Sequence, residues 1–554
     1  MNSSDPRARR TVRSAAAVLC AVAFAWTVLL LLTGGFDTTF FGRPLTAHEP
    51  LRPLLIAAIA LGLYMLTGGD DRVRRVSVAC ARALIRTAAK VWTAACLGLE
   101  LARRWPVADV AALLLAVALA TVGVTHGSKV GGGADSYGYV SEAELFLKGQ
   151  VSDPQPWARD VPWPHAIATF APLGYRPGPD DWLITPPIPH APRDPWTITP
   201  IYAPGLPLLM ALFKSAGGQG GVFWVVPLAG ALLVFATFAI GRRLGSPVAG
   251  LLAAWLVATS PNVLEMTMAP MSDVPVAAAW ACTYWGLLGR SMRSGIGAAI
   301  AGALAILIRP NLFFMTGPAL LLALQQVWTA PRAERRQSIR RGIVVMCGLG
   351  AGVAAAASLN WAINGSPFMS GYGTLSDVHD WSHVAPNLKN YTTWFVEAQT
   401  PLALLGMVAL LLPLRRFWPA VPHRTTIWCL AAFVAGIWID YFFWGVFETG
   451  LYLRFLLSTW PFIMIGLAMV VLAPTRAGNR FVRRLEWVTG ILVLSFLGLR
   501  GISRAEAAGF FTHHDGESKY VTAALEVRRL TPENSVVFSM QHSGSLRYYG
   551  GRMS

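Results

Sequence analysis

The sequence predicts an all-α polytopic membrane protein of about 13 transmembrane helices, with a large first periplasmic loop and a short soluble α/β C-terminal tail. Three observations carry that expectation. Of 554 residues, 54% are hydrophobic and only 14% are charged, where a soluble globular chain carries about 25% charged residues. Apolar runs long enough to cross a bilayer recur along the chain. Most of the 46 Lys and Arg gather between alternate runs, as basic cytoplasmic loops require. The same bias accounts for the net charge of +17. No basic patch interleaved with aromatics argues for nucleic acid as a partner.

The elements follow in order. Arg7, Arg9, Arg10 and Arg13 precede a first span at about 14–33. That run is long for a signal h-region and the Gly34-Gly35-Phe36 after it is a poor cleavage site, so the span is expected to be retained. A second span, about 52–68, completes a hairpin. Basic residues from Arg72 to Arg104 then alternate with apolar ones, so 69–105 reads as an amphipathic cytoplasmic segment. Residues 1–105 thus form an N-terminal hairpin and basic segment, and a membrane core is expected over 106–504.

The core opens with a span at about 106–125. An outer loop, 126–220, follows, with Trp157, Trp163, Trp182 and Trp196 among many prolines. Pro-rich irregular backbone cannot face lipid, which puts this loop outside or at the interface. The apolar run ending at Phe213 is too short to cross and reads as a surface-lying helix. Spans are expected at about 221–240, 246–264 and 274–289. The apolar stretch 296–328 is broken only at Arg309-Pro310-Asn311 and has basic flanks on both sides, so it crosses twice with Arg309 at the outer turn. Further spans are expected at 342–361, 400–413, 425–446, 455–473 and 487–503, with an outer loop at 362–399. The N-terminus is then inside and the C-terminus outside. Short outer loops hold only Arg43, Arg52, Arg309, Lys389 and Arg454 among the basic residues. The soluble tail, 505–554, reads as an amphipathic helix over 518–530, a turn at Thr531-Pro532-Glu533-Asn534 and a strand over 535–539, part of a small α/β domain. Cys20, Cys80, Cys96, Cys282, Cys347 and Cys429 fall in apolar or cytoplasmic segments, so no disulfide framework is implied.

This topology brings Asp135, Asp273, Arg309 and Arg454 to one side of the membrane. Asp135 follows Gly131-Gly132-Gly133 just past a span, where an acid is costly unless used. Two acids and two arginines at one face suit sugar transfer from a lipid-linked phosphosugar to a hydroxyl. The acceptor oxygen needs a base. The leaving phosphate needs arginine forks or a metal. The anomeric carbon, oxocarbenium-like in the transition state, favours a nearby carboxylate. Asp135 would be the base, Asp273 would orient the acceptor or hold a divalent metal ion, and Arg309 and Arg454 would hold the phosphate.

The chain resembles the GT-C superfamily of membrane glycosyltransferases, which includes the protein O-mannosyltransferases and the aminoarabinose transferase of lipid A. The resemblance covers about 105–475. It rests on Asp135 after the first core span, Tyr202-Ala203-Pro204-Gly205-Leu206-Pro207, Ser272-Asp273 before a span, Arg309-Pro310, and Arg454-Phe455-Leu456-Leu457 with Pro461. It implies an inverting transferase in the bacterial cytoplasmic membrane. The donor is a polyprenyl-phosphate sugar, the acceptor a lipid, glycan or protein, and the first-loop acid is catalytic. Asp135-Ser136 departs from the Asp-Glu common in protein O-mannosyltransferases, and Phe455 replaces a tyrosine frequent in relatives.

Other residues carry weaker signals. Tyr137 and Tyr202 could contact donor or acceptor, although interfacial tyrosines are common. Glu142 lies two helical turns past Asp135 and could share its face. His379 and His383 have i, i+4 spacing but read as a surface pair. Asp440 reads as the structural partner of a tyrosine or tryptophan. Two alternatives stay open: a polytopic transporter or flippase of lipid-linked or polar substrates, and an O-antigen-type polymerase or ligase. Neither fits as well, because no internal repeat is visible and the large loop comes early in the chain.

Overall fold

The computed structural model describes residues 105–163, 166–177, 196–446, 449–473 and 480–554, the strands 36–40 and 43–47, and a few helical residues within 15–60. The chain divides into two compact units, Met1–Leu99 and Glu100–Ser554. In the first, the link between the expected hairpin spans is not plain loop. β1 (Phe36–Phe40) pairs antiparallel with β2 (Arg43–Ala47), Phe36 opposite Ala47. The spans expected at 14–33 and 52–68 lie largely outside the described residues, as does the basic segment.

The second unit is a helical bundle that begins with α1 (Trp105–His126). Ala108, Ala112 and Ala116 are buried while Val110, Leu113, Leu114 and Val117 stand exposed. Small residues inward and large apolar ones outward are what close helix packing within lipid demands. The loop that follows is more ordered than its prolines suggest. It contains α2 (Asp135–Leu147), a sheet in the order β3-β5-β4 (Asp153–Pro154, Thr197–Pro200, Tyr175–Pro177), and α3 (Gly205–Val222). The short run expected to end at Phe213 therefore continues nine residues further, through a kink at Gly218. Trp182 lies outside the described residues.

Next come α4 (Val225–Leu244), α5 (Pro247–Ala258), α6 (Pro261–Met268), α7 (Asp273–Leu287), α8 (Met292–Ile308), α9 (Thr316–Thr329) and α10 (Arg335–Asn364). Local chemistry sets several boundaries. Ser246 accepts from the Ala249 amide at 3.2 Å and Pro247 occupies the first turn of α5, a capped start with proline where no donor is needed. Pro261 breaks the next span, bending α6 60° from α5. Gly365, at φ 77°, ends α10. The bundle closes with α11 (Val384–Gln399), α12 (Leu404–Leu411), α13 (Arg424–Phe443), α14 (Trp460–Val471) and α15 (Arg480–Ala507).

Among the described residues, seven helices are long and apolar enough to cross a membrane, or nine if each of two bent pairs is one span. Eleven of the 13 expected spans fall within the described part of the chain, and some of these are too short to meet that test. α7 and α8 have 15 and 17 residues, and the expected span 400–413 is an eight-residue helix meeting its predecessor at 109°. Hydropathy reads the apolar length of a segment but not the bends that packing imposes on it.

In the tail, α16 (His513–Leu530) starts five residues earlier than the amphipathic pattern suggested, and α17 (Ser543–Gly550) follows it. The strand expected at 535–539 shrinks to one parallel bridge, Val536 with Met553. A lone helix and strand cannot bury a core, and the first loop supplies what is missing. The Gly131 amide donates to Tyr549 at 2.8 Å, the Leu173 amide to Ser543 at 3.0 Å and Arg547 to the Phe170 carbonyl at 3.1 Å. Tyr548 packs against the buried cluster of Tyr137, Ile167, Tyr175 and Ile198.

Candidate functional site

Two helix starts and one helix end deliver three of the charged side chains. Asp135 is the first residue of α2 and Asp273 the first of α7. The exposed amides of a helix N-terminus favour a carboxylate there. Arg309 follows the last residue of α8, at the helix end that favours a cation. Arg454 sits in a ten-residue 3-10 run, Gly450–Thr459, that leads into α14; such runs seldom exceed three or four residues. The Ser128 amide donates to the Met268 carbonyl at 2.8 Å, tying the end of α6 to the end of α1 and so setting Ser272-Asp273 beside the Asp135 turn. Gly133, at φ 61°, makes that turn. A Cβ on Gly138 would lie 2.3 Å from the Tyr202 ring, so glycine there lets Tyr202 reach Asp135.

The charges pair across long stretches of chain. Arg454 Nη2 donates to Asp135 Oδ2 at 2.8 Å, and the Tyr202 hydroxyl donates to Asp135 Oδ1 at 2.7 Å. Arg309 Nη2 donates to Asp273 Oδ1 at 2.7 Å and to Ser272 Oγ at 3.2 Å. Arg454 Nε lies 4.0 Å from Asp273 Oδ2 and is buried with no hydrogen-bond acceptor. Phe455 faces both guanidinium groups, its ring centre 5.1 Å from Arg309 Cζ and 5.5 Å from Arg454 Cζ. The two acids differ in access: the Asp135 side chain is 34% exposed and that of Asp273 1%. Burial, together with the Asp135 carboxylate, holds the Tyr202 hydroxyl well above the usual tyrosine range, so it stays a donor.

A second layer orients the first. Tyr139 donates to Ser272 Oγ at 3.0 Å. Arg309 Nη1 reaches the Tyr441 hydroxyl at 3.4 Å, and Asn311 donates to the same hydroxyl at 3.2 Å and to Asp440 at 3.1 Å. Asp440 also pairs with His379 Nε2 at 2.9 Å. Its partners are thus a histidine and an asparagine rather than the tyrosine or tryptophan that the sequence suggested. His379 and His383 do not act as a pair, since His383 Nδ1 meets the Phe443 carbonyl at 3.0 Å.

Asp135, Tyr202, Asp273, Arg309 and Arg454 line one cavity of about 510 Å³. Two residues singled out by sequence are elsewhere. Tyr137 points to the far side of α2, where its ring packs 5.6 Å from Tyr175 and 6.3 Å from Tyr548; burial pushes its hydroxyl up to about 12. Glu142 is 1% exposed, does not line the cavity, and neither carboxyl oxygen has a hydrogen-bond partner among the described residues. Burial raises its carboxyl well above the usual range. The cavity instead takes Tyr139, one helical turn from Asp135, and Ser272, Tyr372, His383, Tyr441 and Phe455. Tyr139 was legible from its i+4 spacing; nothing local in the sequence marks Tyr372 or Tyr441. Among the described residues no three His, Cys, Asp or Glu side chains converge to hold a metal ion; Asp135 and Asp273 each have an arginine beside them instead, and Asp377, also in the lining, accepts from Thr374.

Comparison with known proteins adds to this geometry. Residues 199–361 match a family model described as dolichyl-phosphate-mannose-protein mannosyltransferase; the match includes Tyr202, Asp273 and Arg309 but neither Asp135 nor Arg454. No curated protein matches the chain. Among solved structures, the chain is similar to ArnT from Cupriavidus metallidurans bound to undecaprenyl phosphate. The TM-score is 0.50 and the identity 13%, over 80% of this chain and 84% of that one. It also aligns with the Archaeoglobus fulgidus oligosaccharyltransferase tethered with an acceptor peptide, at TM-score 0.44 and 12% identity, over 80% of this chain and 63% of that one. The fold assignment rests on the first of these.

Proposed function

The chain has the GT-C fold of membrane glycosyltransferases, and on that premise we propose that it transfers a sugar from a polyprenyl-phosphate donor to a hydroxyl acceptor, with inversion, at the outer face of the membrane. One observation carries the reading: Asp135, Asp273, Arg309 and Arg454, from four distant parts of the chain, line one cavity. The ArnT structure of similar fold holds undecaprenyl phosphate, the class of carrier proposed for this chain.

In the proposed reaction the acceptor oxygen bonds to the anomeric carbon as the bond from that carbon to the phosphate oxygen breaks. The acceptor proton passes to Asp135, and the polyprenyl phosphate leaves with the bonding electrons. Asp135 is the base because its carboxylate alone of the two is open to an acceptor. Both of its oxygens already accept hydrogen bonds, so the base is released as Arg454 turns toward the donor phosphate, a turn that also gives its buried, unsatisfied Nε a partner. Charge-assisted contacts to phosphate are about twice as strong as neutral ones. Asp273, shut away against Arg309, holds that guanidinium in place. Of the two carboxylates paired with arginines only Asp135 is open, which favours single displacement over a glycosyl-enzyme, a route that needs two carboxylates about 5–5.5 Å apart with the substrate between them.

The test is transfer by the purified protein from a panel of polyprenyl-phosphate hexoses and pentoses, read as release of polyprenyl phosphate together with a glycosylated acceptor. Release with an inverted anomeric centre is the expected result. Movement of intact lipid-linked sugar across vesicles, with no bond cleaved, would replace the transferase with a flippase.

A further inference from the structure

At the other end of α7 lies a second cavity, of about 600 Å³. α7 has 15 residues, so the two cavities are separated by about 20 Å of helix at 1.5 Å per residue. Arg243, Arg290, Arg341 and His423 line the second one, against a single acid, Glu334. Arg341 is 3% exposed. Its Nη2 donates to the Gly286 and Leu287 carbonyls at 2.9 and 2.7 Å, and Nη1 to Gln326. Arg243 donates to the Trp285 carbonyl. Both arginines therefore meet the C-terminal carbonyls of α7, which carry about half a negative charge. Two guanidinium groups bring two full positive charges to that end. Neither has an ion pair with a carboxylate among the described residues, and the buried Nε of Arg341 has no acceptor. The local excess of positive charge around the cavity calls for an anion.

We propose that this cavity is a second anion site that binds a phosphate group, carried by a lipid headgroup or free in solution, at the end of the bundle away from Asp135. Arg341 forms the floor, held there by its contacts to the end of α7. Arg243 and Arg290 close on the anion from α4 and from the turn after α7, and His423 approaches from the start of α13. Several N–H donors lining one cavity suit the several acceptor oxygens of a phosphate. The site takes no part in the transfer reaction, and nothing in it depends on the role proposed for the first cavity.

Arg341 also satisfies the end of α7, so its loss would confuse binding with folding. Arg290 and His423 make no side-chain hydrogen bond or ion pair with described residues and are the better probes. The full chain is placed in nanodiscs of phosphatidylcholine alone and titrated with inorganic phosphate at constant ionic strength, following thermal unfolding. In a second arm, nanodiscs contain one-fifth phosphatidylglycerol, and lipid retained by the protein is counted by native mass spectrometry. Stabilisation in the first arm identifies a free-phosphate site; retention in the second alone identifies a headgroup site. In either arm, Arg290→Gln with His423→Gln should weaken binding about tenfold or more, the loss of a charge-assisted contact. Arg454→Gln, which disables the first cavity, should leave the response in place. So should Arg335→Gln, a control with the same loss of formal charge nearby but outside the cavity. The proposal fails if neither arm responds, if Arg454→Gln abolishes the response while Arg290→Gln with His423→Gln keeps it, or if the charge control weakens binding equally.

Discussion

Arg454 donates from Nη2 to Asp135 Oδ2 at 2.8 Å, joining residues 319 positions apart in the chain. The contact binds the first-loop helix to the 3-10 run before α14, and it occupies the oxygen that a base must use. If Arg454 moves to the donor phosphate during the reaction, its loss affects donor binding and release of the base together. Arg454→Ala should raise the donor KM by about 10–100-fold, the cost of a hydrogen bond to a charged group. Arg454→Lys should recover only part of this, because lysine lacks the fork. Steady-state kinetics over donor concentration measure both; a normal KM in Arg454→Ala would remove it from the phosphate.

Asp273 and Arg309 form a pair whose side chains are 1% and 11% exposed. Removing one partner of a buried pair costs about 3–5 kcal/mol. The Asp135–Arg454 pair is more open, 34% and 19%, and belongs nearer the small values of exposed pairs. Asp273→Asn should therefore lower the thermal unfolding midpoint clearly, and Asp135→Asn only slightly. Equal shifts in the two variants would mean that the pairs do not differ in burial as described.

Glu142 gives a pH test. Its folded carboxyl is raised by burial above the unfolded value of about 4.5, so the native state holds its proton over a range where the unfolded chain has lost it. The stability this group confers is complete below the unfolded value and declines as pH rises toward the folded value. Glu142→Gln should flatten that decline and unfold at a higher temperature than the parent at pH 8, with little difference at pH 4. Parallel pH profiles would contradict the buried, unpaired state of this carboxyl.

Orientation is tested with cysteine reporters at exposed positions in a cysteine-free background. Ser376 and Gln337 are exposed, unlike Ser136 and Ser272, which are 8% and 3% exposed. Ser376→Cys should react with an impermeant thiol reagent added to intact cells, and Gln337→Cys only after lysis. The opposite pattern would turn the Asp135 cavity to the cytoplasm.

The sequence disclosed this cavity in part, for a physical reason. Charge is expensive in an apolar chain, so Asp135, Asp273, Arg309 and Arg454 stood out, and all four line it. Helical geometry explains the two residues that do not. Tyr137, two positions past Asp135, is rotated about 200° around α2; Glu142 shares the face of Asp135 but lies about 10 Å further along the helix. Tyr139, one turn away, was the neighbour to choose. The fold of the first loop was hidden because its sheet joins Asp153-Pro154 to Thr197-Ile198, a pairing with no local pattern. Over 535–539 the apolar pattern makes a single bridge rather than a strand: Val536 and Phe538 stand exposed, and from the tail it is Tyr548 that packs on the core of that loop.

The most direct measurement is turnover per folded molecule of Asp135→Asn. The amide keeps the size of the side chain and can still accept from Tyr202, but it cannot take the acceptor proton. General-base catalysis contributes about 10²–10⁴-fold, so turnover should fall by at least that range while membrane insertion and donor binding persist. A well-folded Asp135→Asn protein that transfers sugar at the parent rate would contradict the account and leave Asp135 as no more than the anchor of Arg454.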